Sequence, residues 1–120
     1  MSLIDSSRLD PLERFLSLTA FRQQLVANNL ANIDTPGYRA KDILFHQEMA
    51  RVEDGLGDEE QRPFVLPVAG LVERPDGNNV SMDREGLLLL RLQLEYKTGV
   101  ELLRSELRQI NEAINDGRAA

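Results

Sequence analysis

The 120-residue chain contains no cysteine and no tryptophan. Without cysteine there is no disulfide, no thiolate metal site and no cysteine nucleophile, and the redox compartment is left open. Aromatic residues make up 5% of a chain that is 42% hydrophobic, so a core has to be built mainly from aliphatic side chains. Basic excess is missing too. Twenty acidic against 14 basic residues give a formal net charge of −6, which argues against a nucleic-acid-binding stripe and against electrostatic attachment to anionic lipid. The longest apolar run, Gly86 to Leu90, is cut by Arg91 and falls well short of the roughly 20 residues that a membrane span requires, so no membrane insertion is expected. Met1 to Asp10 lack a basic leader followed by an apolar stretch, so no cleaved secretory signal is expected either.

Chemistry is equally sparse. His46 is the single imidazole, with no second histidine to share a metal. The acidic segment Glu53 to Glu60 lacks the spacing of a calcium loop and reads as solvated. Asp83 and Glu85 are paired carboxylates of the kind a glycan hydrolase uses, but acidic residues at a helix start are accounted for by the macrodipole alone. No catalytic residue, metal, cofactor or small-molecule substrate is therefore expected.

What the chain has is helical periodicity at both ends. Asp10 followed by Pro11 is a helix start, and Leu12, Phe15, Leu16, Thr19, Val26 and Leu30 form one stripe beside a second made by Leu18, Phe21, Leu25 and Asn28. Two stripes imply two packing partners. A second helix reads from about Met82 to Ile114, with a seam of Leu89, Leu92, Tyr96, Val100, Leu103, Leu107, Ile110 and Ile114 at alternating spacings of three and four. Leu87, Leu88, Leu90, Leu94 and Leu102 lie off that seam and widen the apolar surface beyond what one partner covers. Gly86 and Gly99 each cost about 1 kcal/mol in a helix interior, consistent with close backbone approach or a slight bend.

The expected fold is mainly α. Two long amphipathic helices, 10–33 and 82–115, pack as an antiparallel coiled-coil-like hairpin in a single unit spanning 1–120. The middle, 34–81, holds four of the five prolines and most of the glycines, so it is irregular with at most short strands. Ile43 to Val52 suits a helical turn or two, Phe64 to Leu66 and Leu71-Val72 have strand composition, and Ser81 or Asp83 can cap the second helix. A two-helix hairpin with wide stripes has close to zero net stability alone and leaves apolar surface in water, which argues for assembly and a marginal isolated subunit.

The densest local signal is Asn28-Asn29-Leu30-Ala31-Asn32-Ile33-Asp34-Thr35-Pro36-Gly37-Tyr38. Pro36 suits the second position of a type II turn and Gly37 supplies the positive φ required next, so the helix must stop near Asn32 or Ile33. The amides of Asn28, Asn29 and Asn32 cluster where helix carbonyls lack partners, and two readings stay open: capping, or hydrogen bonds across a subunit boundary. Tyr38 and Tyr96 read as amphipathic anchors.

The run Asn29 to Phe45 closely resembles the N-terminal signature of bacterial flagellar rod and hook proteins, and Asp76 to Glu85 is similar to the segment leading into the C-terminal helix of the small rod subunits. The resemblance implies terminal helices that stack helically into a tube at the base of the flagellum, periplasmic, transmitting torque and enclosing the export channel. Partners would be other rod proteins, further copies, and membrane-ring and export-gate components, with no nucleic acid. Export would proceed without a cleaved signal. Asn29, Asn32, Asp34, Thr35, Pro36, Gly37 and Tyr38 match the signature and are assigned to the turn and to subunit contacts. The middle looks short for that family, and the block Leu87 to Leu90 is more apolar than its pattern. The competing reading is a cytoplasmic helical-hairpin adaptor or export chaperone, which would form a closed complex rather than an open stack.

Overall fold

The computed structural model describes residues 6–53 and 62–119. The elements are helix α1 (Ser6–Ala31), strand β1 (Lys41–Ile43), helix α2 (Phe45–Glu53), strand β2 (Val65–Pro67) and helix α3 (Met82–Ala119). At 1.5 Å per residue α1 runs about 39 Å and α3 about 57 Å, in a molecule whose principal extents are 71 × 28 × 19 Å. The two long helices pack together and are antiparallel: Gly99 lies against Phe15 and Leu16, whereas Glu85 lies beside Asn29. No helix among the described residues is long and apolar enough to cross a membrane.

The two stripes of α1 meet different elements, with α2 touching both. Leu18 and Leu25 are buried with Ile43 of β1, and Phe21, Phe45 and Met49 close over them. The Phe15 and Phe45 rings meet edge to face at 5.6 Å, which ties α2 to the other stripe. On the α3 side, Gly99 lies directly against α1. A Cβ there would lie 2.8 Å from Leu16 Cδ2, so the glycine admits α1 at close range. Gly86 has open space around it, so close approach does not explain that position.

The irregular middle holds more order than its composition suggests. β1 and β2 pair antiparallel, with Asp42 opposite Leu66 and Ile43 opposite Val65, while Leu71-Val72 forms no strand. Pro67 sits at the end of this two-stranded ribbon, where a missing donor is tolerated. α2 is a full nine-residue helix. The buried Glu48 carboxylate pins it in place, accepting hydrogen bonds from the Phe64 N–H (3.0 Å) and Arg51 (2.7 Å) and pairing with Arg14 of α1 (3.7 Å). Arg51 also lies 4.5 Å from the centre of the Phe64 ring.

Three helix boundaries differ from the sequence reading, α1 stopping at Ala31 rather than at residue 33. α1 begins at Ser6, so Pro11 lies inside it rather than at its first turn. Its missing N–H removes one hydrogen bond, to the Ser7 carbonyl, in the second turn of the helix. α3 runs on to Ala119, five residues past its last apolar position at Ile114, because nothing in 115–119 forces an exit. Ser81 caps α3, its Oγ accepting the Arg84 N–H at 3.3 Å. The acidic segment falls outside the described residues apart from Glu53.

Candidate assembly interface

α3 buries one face and presents another. Leu92 and Glu85 are fully buried, and Gly99 continues the same line seven residues on, facing α1. Leu87, Leu90, Leu94 and Leu102 stand 70%, 60%, 67% and 52% exposed, spaced so that they share a second face of the helix. Beside them an open groove of about 550 Å³ runs between α1 and α3, walled by Pro11, Leu12, Phe15, Met49, Leu94 and Leu102. Apolar surface that is continuous over several helical turns and lies beside a groove marks a place where another helix packs.

At the end of the hairpin the two signature segments lock together. Thr35-Pro36-Gly37-Tyr38 forms the turn its composition demands, with Tyr38 N–H donating to the Thr35 carbonyl (3.2 Å) and Gly37 at φ +75°. Facing it, Arg74-Pro75-Asp76-Gly77 closes through Gly77 N–H to the Arg74 carbonyl (2.9 Å), with Gly77 at φ +87°. The two glycines touch, since a Cβ on Gly77 would lie 3.3 Å from Gly37 Cα, and Gly37 N–H donates to the Asp76 carbonyl at 2.8 Å. Asn78, fully buried, binds the turns together. Its Nδ2 donates to the carbonyls of Asn32 (2.8 Å) and Thr35 (2.9 Å), while its Oδ1 accepts the Val80 N–H (2.8 Å). Asn79 Oδ1 accepts the Ala40 N–H at 2.7 Å, and Arg74 donates to the Ile33 carbonyl.

Asn29 settles its own role. Its Nδ2 donates to the Lys41 carbonyl (3.0 Å), and its Oδ1 accepts both the Lys41 N–H and the Tyr38 hydroxyl (3.1 Å each). The amide is 1% exposed and makes three hydrogen bonds within the chain, so its structural partners are intramolecular. Asn32 caps locally, with Nδ2 on the Asn28 carbonyl (2.8 Å) and Oδ1 accepting the Thr35 hydroxyl (3.1 Å). Asn28, Asp34, Thr35, Pro36 and Gly37 are exposed, and Asn32 and Tyr38 are half-buried. Along the seam Leu92 is buried and Leu89, Val100, Leu103, Ile110 and Ile114 are half-buried. Tyr96 and Leu107 are 38% and 49% exposed, so the face turned to α1 is rotated toward Glu85 and Gly99.

Several structural positions carried no assigned role in the sequence: Asn78, Asn79, Glu48 and the pair Arg22–Asp42, in which Nε and one Nη of the guanidinium meet the carboxylate at 2.9 Å; Glu85 was read only as a helix-start acid. Asn78 and Asn79 follow an Asp-Gly turn, and that signal could have singled them out. Burial pushes the Glu85 carboxyl above its usual range; Asp42 pushes the same way, while the nearby Asn29 amide and Arg84 oppose it. Glu85 Oε1 accepts from Arg84 (2.9 Å), while Oε2 makes no hydrogen bond of normal geometry. Burial likewise raises the Tyr38 phenol, and Glu85 adds to that. Asp83 is exposed while Glu85 is sealed, which leaves no acid–base pair to reach a glycan. Exposed His46 has no metal-binding company among the described residues.

A hairpin that hides half of α3 and braces its end with a polar knot defines a helical subunit of a larger assembly. A family model described as flagella basal body rod protein matches residues 16–39. The FlgB protein of Salmonella typhimurium is 35% identical, over 92% of this chain and 97% of its own length. Those of Escherichia coli (31%; 92% and 97%) and Bacillus subtilis (29%; 98% and 100%) are similar along the same span. The chain belongs to the FlgB family of flagellar basal body rod proteins, a structural component of the basal body rod and not an enzyme.

Proposed function

We propose that this chain acts as one unit of the proximal rod, stacking through α1 and α3 onto further copies and sister rod proteins to build the wall of a periplasmic tube. The wall transmits torque and leaves a central passage for export, and at its base it meets membrane-ring and export-gate components. The observation that carries this reading is the row Leu87, Leu90, Leu94 and Leu102, left in water beside an apolar groove. Burial at about 25 cal/mol per Å² makes such a surface a strong drive to associate once a neighbour supplies the matching ridge. Association of unlike patches also generates an open helical stack rather than a closed pair. The exposed turn 34–37 and the exposed strand β2 lie outside the hairpin's packing and suit lateral contacts with neighbours.

Leu90→Asp together with Leu94→Asp tests this. Both side chains are exposed, so the isolated chain should keep its circular dichroism spectrum while disappearing from purified basal bodies, with motility lost. Normal incorporation of the double variant would refute the assigned face. An adaptor or chaperone would instead be absent from basal bodies even as wild type.

A further inference from the structure

We propose that Glu85 is a protonation-controlled latch at the joint of α1, β1 and α3, holding the joint firmly when its carboxyl is neutral and loosening it when charged. The geometry is that of a sealed carboxyl with too few donors. Glu85 is 0% exposed, and only Oε1 is held, by an Arg84 side chain that is itself 34% exposed. Oε2 makes no hydrogen bond of normal geometry and has no access to water; the Asn29 amide beside the carboxyl offsets its burial only in part. A buried carboxylate left half-solvated in this way is costly, whereas the neutral acid asks far less of its surroundings.

The groups facing it do not rescue the charge. From α1 comes Asn29, whose Nδ2 donates to the Lys41 carbonyl and whose amide only partly offsets the burial of Glu85, and Arg22, which is committed to Asp42. From β1 comes Asp42, a second negative charge, and Lys41, whose ammonium lies 5.7 Å from the centre of the Tyr38 ring. From the turn comes Tyr38, whose hydroxyl donates to Asn29 rather than to Glu85. Arg84 of α3 is thus the one cation hydrogen-bonded to Glu85 among the described residues. Asn29 is the shared element: the same amide that neighbours Glu85 holds Lys41 and Tyr38, so strain at the carboxylate reaches the signature turn directly.

The sign follows from linkage. A carboxyl that binds its proton more tightly folded than unfolded favours the folded state in acid, and that contribution is lost as pH rises through the folded value. Glu85→Gln imitates the neutral form at every pH. In thermal melts of the full chain at monomer concentration, the variant should melt roughly 4 °C above wild type at pH 8. The gap should close as pH falls toward 5. A Gln variant less stable than wild type by a constant amount across this range would overturn the latch. Should the variant fail to fold, carbon-13 titration of the Glu85 carboxyl in the wild-type chain decides. A midpoint above that of an ordinary glutamate supports the latch, and a midpoint at or below it refutes it.

Discussion

Replacing Asn78 removes the side chain that fastens the two turns, and the structure says what each replacement should cost. The Asn78 side chain makes three hydrogen bonds in a fully buried site. In Asn78→Ala the Asn32 and Thr35 carbonyls each keep a backbone donor, from Thr35 and Tyr38 respectively, so these two losses fall at the lower end, about 0.5–1 kcal/mol each. The buried Val80 N–H loses the acceptor the structure gives it, adding about 1–3 kcal/mol. The total, roughly 2–5 kcal/mol, is enough to unfold a small marginal subunit or lower its melting midpoint by well over ten degrees. Asn78→Asp sharpens the test. It restores the acceptor for Val80 but aims a carboxylate oxygen at two carbonyls, so at pH 7 it should be no better than alanine, recovering partly when protonated. Melts followed at 222 nm, with amide exchange at Val80, provide the readout. An aspartate variant as stable as wild type at pH 7 would refute the account of the knot.

Two further outcomes follow from the same geometry. Leu92→Ala should destabilise the isolated chain by about 2–5 kcal/mol, since Leu92 is fully enclosed, whereas Leu94→Ala should change monomer stability little; urea titrations compare the two directly. A Cβ at Gly37 would meet nothing within 4 Å, but Gly37→Val places a β-branched residue at φ +75°, so it should distort the turn and reduce incorporation into basal bodies more than secretion; unaltered motility would contradict this.

Legibility in the sequence tracked how local each feature is. The turn at Pro36-Gly37 could be written down residue by residue because proline and glycine fix their own dihedral angles, and the structure places Gly37 at the positive φ that this requires. The twin stripes of α1 were readable as a demand for two partners, and β1 with α2 on one side and α3 on the other supply them. The bearing of α3 was not readable. Leucines occupy so many of its positions that several faces are apolar enough to serve, and the choice fell to where Gly99 lets α1 approach. Strand β1 was invisible because Lys41-Asp42-Ile43 has no strand composition; Asn29 and Arg22 of α1 and the backbone of β2 hold it extended.

The sequence by itself determined two long helices, the turns between them and more apolar helix surface than one hairpin can cover, because each of these depends on neighbours three or four residues apart. Tertiary structure alone decided that Asn29 serves Lys41 and Tyr38, that Asn78 reaches back 46 residues to Asn32, and that Glu85 ends up sealed from water. Side-chain amides and carboxylates carry no address in their local sequence. Their partners are fixed only when the packing of the helices has chosen which of them lose contact with solvent.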